Sequence, residues 1–187
     1  TTESASLTEA DLARSSWENP FRPRLWSCEG WTIDKNSMIC ESEFPASATF
    51  LRPYRNVVVE CRLSRTAESG GDSSTEPPLS FELRLIDKST SNWAGLLTTA
   101  DSVSLSEFIS GRKTALKTLR ETTRDHTDDP EVAVRFTMTP NRILVAINGH
   151  LKINAARPAS IMHIDCLTQF VIHESGITLS DLRFEGD

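Results

Sequence analysis

Leu79-Ser80-Phe81-Glu82-Leu83-Arg84-Leu85 is the stretch whose reading decides the fold. Apolar residues fall at every second position, with Ser80, Glu82 and Arg84 between them. Side chains on a strand alternate between two faces. This segment therefore turns one face to a core and the other to water, as strands of antiparallel sheets do. A helix would place its apolar residues three and four apart.

The same period runs outward in both directions. In Asn56–Arg65, Val57, Val59, Cys61 and Leu63 share one face, with Glu60 and Arg62 on the other. Val58 is the one apolar residue turned outward. Downstream, Val132, Val134, Phe136 and Met138 alternate with Ala133, Arg135 and Thr137. Ile143, Val145 and Ile147 continue the pattern. Asn148-Gly149 predicts a two-residue hairpin, because a type I′ turn needs positive φ at both central residues. In the last strand the inward set passes from Ile177 and Leu179 to Leu182 and Phe184, which predicts a bulge near Ser180-Asp181. Shorter extended pieces are expected at Leu25–Glu29, Trp31–Asp34, Ser37–Glu41, Ala48–Leu51 and Cys166–His173. About nine to eleven strands in sequential hairpins, without βαβ spacing, predict an all-β fold: two antiparallel sheets packed as a jelly-roll sandwich.

Two regions depart from this period. In residues 100–130, Ser104 with Glu107 reads as a capping box. Thr114–Glu121, with Leu116 and Leu119 three apart, reads as a second short helix. The region is expected to be a polar, partly helical insertion. Residues 1–23 read as an arm or tether, with a short helix at Thr8–Arg14 that Pro20 and Pro23 prevent from continuing. Residues 24–187 then form the sandwich.

The chain has 187 residues, the length of one domain, and a formal net charge of -6. An acidic balance argues against sequence-independent nucleic-acid binding, which needs surplus Lys and Arg, and against docking on anionic lipid. No apolar run approaches the ~18 residues of a membrane helix. The sequence starts at Thr1, so an upstream signal or anchor is permitted. An extracytoplasmic location, periplasmic or extracellular, is expected, with a cytoplasmic one as the alternative. Cys28, Cys40, Cys61 and Cys166 form no CxxC pair, which disfavours a zinc or thioredoxin-like site. Two disulfides and four buried thiols both remain open.

The run Trp26-Ser27-Cys28-Glu29-Gly30-Trp31-Thr32-Ile33-Asp34-Lys35-Asn36-Ser37-Met38-Ile39 resembles the opening of concanavalin-like sandwich domains. These include the laminin-G-like modules and a family of unknown function associated with keto-disaccharide hydrolases. Tyr54-Arg55-Asn56-Val57-Val58-Val59-Glu60, the Ile147-Asn148-Gly149 hairpin and the closing Gly176–Phe184 resemble the same group. The resemblance covers most of Trp26–Phe184 and implies a concanavalin-like jelly-roll sandwich. It carries no catalytic motif onto this chain.

A glycosidase of this shape needs two carboxylates flanking the scissile bond. Glu60 stands with Arg62 and Glu82 with Arg84, one acid and one base each, which reads as cross-strand ion pairs on a solvated face. No GxSxG nucleophile elbow is present. His163 and Asp165 share one face of an extended segment, with His173 and Glu174 one strand later. Such ligands could hold zinc or another divalent ion, but they read first as surface polar residues at strand ends. Asp34 with Asn36 offers two oxygens where calcium wants about six or more. No catalytic residue, metal site or cofactor is therefore expected. Trp93, beside Asn92, is the candidate glycan platform. Arg112, Lys113, Lys117, Arg120 and Arg124 form a basic cluster whose last four members would line one side of a helix, and which, with Trp17, could dock an acidic protein surface. The reading that follows is a non-catalytic binding or assembly module, an accessory subunit held by its N-terminal arm to protein partners. The alternative is a carbohydrate-binding, lectin-like domain or a carbohydrate-active hydrolase.

Overall fold

The computed structural model describes residues 19–41, 45–65, 79–99, 102–120, 131–174 and 176–187. Fourteen strands lie among the described residues: β1 (Trp26–Cys28), β2 (Trp31–Ile33), β3 (Ser37–Cys40), β4 (Ala46–Tyr54), β5 (Val57–Arg65), β6 (Phe81–Asp87), β7 (Trp93–Thr98), β8 (Ser102–Ile109), β9 (Arg112–Arg120), β10 (Glu131–Met138), β11 (Arg142–Ile147), β12 (His150–Ala156), β13 (Cys166–Ile172) and β14 (Ile177–Gly186). They form two seven-stranded antiparallel sheets. The first runs β1-β4-β13-β6-β7-β8-β9 and the second β12-β11-β10-β5-β14-β3-β2. This is the two-layer jelly-roll sandwich that the alternation implies.

Between the layers lies one core. Phe81, Leu83 and Leu85 enter it from the first sheet; Val59, Leu63, Phe136 and Val145 from the second. Each such side chain contributes roughly 1.5–3 kcal/mol by leaving water. One end of the core is aromatic. Phe50 of β4 stacks on Phe184 of β14 at 4.2 Å, joining the two sheets. Trp26 packs beside Phe50 at 5.1 Å and donates its indole N–H to the Pro20 carbonyl at 2.7 Å. Phe21 is buried in the same core.

Local signals hold where backbone geometry dictates them. Asn148 and Gly149 have φ of 49° and 79°, and Ile147 pairs with His150 across that hairpin. Asp181 has φ of 47°, and the β14–β5 register shifts between Ser180 and Arg183.

The helical insertion is corrected. Ser104 and Glu107 lie in β8, and Thr114–Arg120 lies in β9. The physical reason is a bulge. Leu105 pairs with Lys117 and Ser106 with Ala115, which leaves Leu116 as an extra residue. One inserted residue turns a spacing of two into a spacing of three, so Leu116 and Leu119 mimic a helical stripe. Within the described residues, helix is confined to two 3-10 turns, Pro23–Leu25 and Ala159–Ile161, and no helix is long and apolar enough to cross a membrane. The Thr8–Arg14 helix lies outside the described residues.

Candidate functional site

The outward faces of the two sheets differ in chemistry. On the second sheet, Arg62 pairs with Glu131 and with Asp181, Arg135 with Glu60 at 3.1 Å, and Arg183 with Glu185 at 3.2 Å. Those arginines are exposed, and such pairs contribute at most about 1 kcal/mol each. The Glu60 pair is the cross-strand pair on a solvated face that the sequence indicates.

The first sheet is different. Its outward positions on β13, β6, β7 and β8 are all buried or half-buried. Among them are Gln169, Ser104, Ser106, Trp93 and Phe108. The outward positions of this sheet's described strands carry one carboxylate, Glu82, and it is 5% exposed. A buried carboxylate requires a charged partner. Arg84 supplies it from the same strand, through Nη2 to Oε2, and Lys113 of β9 approaches Oε1 at 3.5 Å. Glu82 is therefore paired within its own strand and with Lys113 of β9, on a sheltered face rather than a solvated one, and that shelter is a correction to the sequence reading.

Both cations also lie over Trp93. The Arg84 guanidinium carbon is 4.5 Å from the ring centre and Lys113 Nζ is 5.6 Å from it. Trp93 stacks in turn on Phe108 of β8, 5.7 Å away and within 4° of parallel. Gly95, opposite Arg84 in the β6–β7 ladder, leaves room for that arginine to lie across the sheet. The result is a two-cation, one-anion cluster seated on an aromatic pair.

The sequence candidates distribute as follows. Trp93 begins β7, 9% exposed and beneath its cations. Asn92 is a turn residue: its backbone carbonyl accepts from Asp87 N–H at 2.8 Å, and its Oδ1 from Ser110 N–H at 3.1 Å. The basic residues do not line one helical side. Lys113 faces outward at the cluster, whereas Lys117, beyond the Leu116 bulge, turns the other way and donates to the Asn154 carbonyl at 3.1 Å. Arg112 and Arg120 close the two ends of β9. Arg124 and Trp17 lie outside the described residues. Glu82 and Arg84 are the members that sequence reasoning passed over. Their signal was present as an i, i+2 acid–base pair, but nothing local says that this face is sheltered.

Two of the carboxylates considered as metal ligands are engaged in ion pairs. Asp165 binds Arg55 at 2.9 Å, and Glu174 holds Arg65 through both oxygens at 3.0 and 3.1 Å. Among the described residues no three His, Cys, Asp or Glu side chains converge as metal ligands. All four cysteines are free thiols.

No protein-family model matches the sequence, and no curated protein matches it either. Solved structures do match. The carbohydrate-binding module CBM66 from Bacillus subtilis superposes with a TM-score of 0.65 at 12% identity, covering 87% of this chain and 96% of that one. A Bacillus licheniformis β-glucanase gives 0.62 at 10% identity, covering 94% of this chain and 100% of that one. The exoplasmic/lumenal domain of VIP36 gives 0.58 at 9% identity, over 88% and 85%. The fold is the concanavalin-like jelly roll. At these identities the likeness extends to the sandwich and not to any ligand.

Proposed function

We propose that this chain is a non-catalytic carbohydrate-binding sandwich that takes a saccharide on the outward face of its first sheet, around Glu82, Arg84, Lys113 and Trp93. The supporting observation is the contrast between the two outward faces. One is a lattice of exposed ion pairs. The other is sheltered, lined by hydroxyl, amide and aromatic groups, and carries a single charged cluster. Sugars are held by such mixtures of apolar surface and placed polar groups. A retaining or inverting glycosidase needs two carboxylates, and the described outward positions of this sheet supply one, already paired with Arg84. A similar fold in a carbohydrate-binding module, and in a domain described as exoplasmic, favours this reading and an extracytoplasmic location.

Assembly through protein partners is the second reading. It rests on β9, whose residues 112–119 are exposed at a sheet edge and include three cations. The splitting of the basic residues between two faces weakens it, so glycan binding is placed first.

The test is a glycan array followed by titration calorimetry with wild type, Arg84→Ala and, as a second-sheet control, Arg135→Ala. Binding that is lost in Arg84→Ala and kept in Arg135→Ala is the expected result. No array signal, together with a stable protein complex by native mass spectrometry, would reverse the order of the two readings.

A further inference from the structure

We infer that the saccharide bound at this face is acidic, one that presents a carboxylate to Lys113. This inference rests on the glycan-binding reading and specifies its ligand class.

The first observation is the charge of the cluster. The protein as a whole carries -6. At the sheltered cluster the count is reversed: Arg84 and Lys113 against Glu82 alone. Arg84 lies close against the Glu82 carboxylate and is itself largely covered, with 24% side-chain exposure. That pair neutralises itself. Lys113 stands farther away, at 3.5 Å, and keeps 44% of its side chain exposed. An ammonium has three N–H donors, and Glu82 engages one of them. Lys113 is thus the surplus cation of the cluster, held in place and still open to solvent.

The second observation concerns Trp93. Neutral sugars commonly need an open aromatic face to stack on. Here that ring is 9% exposed and already covered by Arg84 and Lys113. Stacking is therefore replaced by a cationic rim over the aromatic ring. Cation–π contact fixes the position of the Lys113 head, so little side-chain entropy remains to be lost when an anion docks. Ser104 and Ser106 of β8, both buried on the same face, add hydroxyls one strand away.

The experiment uses the whole chain and a panel of acidic oligosaccharides, uronates and sialosides, each beside its carboxyl-reduced neutral counterpart. At least one acid is expected to bind about tenfold tighter than its reduced partner, the size of one charge-assisted hydrogen bond. The preference shrinks as NaCl is raised, since Lys113 is partly exposed. In Lys113→Met the acid and its neutral counterpart bind within about twofold of each other. Neutral oligosaccharides binding as well as the acids would overturn this inference and leave the glycan reading standing. Failure of every acid and every neutral sugar would overturn both.

Discussion

Gly95 stands directly opposite Arg84 in the β6–β7 ladder, and a methyl group on it would lie 2.7 Å from the Leu83 carbonyl oxygen and 3.1 Å from Arg84 Cγ. The first of these is backbone and cannot rotate away. Gly95→Ala therefore forces the strand or the arginine to move. The expected cost is about 1–3 kcal/mol, as for other overpacked sites, read by urea denaturation. Because Arg84 covers Trp93, the tryptophan emission of the folded protein should shift as well. An unchanged stability and spectrum would show that the strand pair absorbs the methyl group.

The every-other-residue pattern was sufficient for the two-sheet sandwich, because register is fixed wherever one face is buried. It failed where one residue was inserted. Val103-Ser104-Leu105-Ser106 alternates as cleanly as Leu79–Leu85, yet the Leu116 bulge in its partner strand gave the hairpin a helical spacing. The site was less legible still. Glu82 and Arg84 read as an ordinary outward pair, and whether an outward face is open or sheltered depends on how the whole sheet is covered. Trp93 reads in the sequence as an exposed glycan platform, whereas in the structure it is buried, and the cations over it come from β6 and β9, nine and twenty residues away. No local pattern links those positions.

Arg157 supplies a second prediction. It is 2% exposed, and burial holds its pKa below the usual arginine value. Among the described residues no carboxylate pairs with it. Its five N–H groups instead reach the Ile161 carbonyl twice, at 2.9 and 2.7 Å, and the Ile164 and Thr139 carbonyls and Asn56 Oδ1 at 3.2 Å. All donors are thereby satisfied. Arg157→Met leaves several buried acceptors unpaired at once and should cost at least about 3 kcal/mol. Arg157→Lys, with three donors, recovers only part of this. The comparison is Arg55→Ala, which removes an exposed pair with Asp165 and should cost under about 1 kcal/mol. Equal losses at the two positions would sink this account of Arg157.

The thiols give a third. Burial pushes Cys61 up to about 12 and Cys166 up to about 11. The thiolate is the reactive form. At pH 8, iodoacetamide should leave Cys40, Cys61 and Cys166 unmodified in the native protein, with half-buried Cys28 the only site of slow labelling, itself retarded by a raised pKa. In denaturant all four should react. Peptide mass spectrometry reads the difference. Native protein that yields a Cys28–Cys40 disulfide peptide without added oxidant would contradict the free-thiol arrangement.

Asp87 sets the pH behaviour of the β6–β7 turn. Its carboxylate accepts from the Thr90 hydroxyl at 2.6 Å, the Ser89 hydroxyl at 2.7 Å and the Ser89 backbone N–H at 2.8 Å. These bonds favour the ionised form and lower its pKa below the ordinary aspartate value, Thr90 most and Ser89 next. A carboxyl whose folded pKa is depressed stabilises the fold fully above its unfolded pKa, about 3.9. That stabilisation is lost as pH falls through the lower, folded value. Asp87→Asn cannot titrate and lacks the charge that these donors favour. Its deficit relative to wild type should be constant from pH 7 to about 5 and narrow below about 4, measured by denaturation at each pH. A deficit that stays the same at pH 7 and pH 3 would mean that the shape of the side chain, and not its charge, organises the turn.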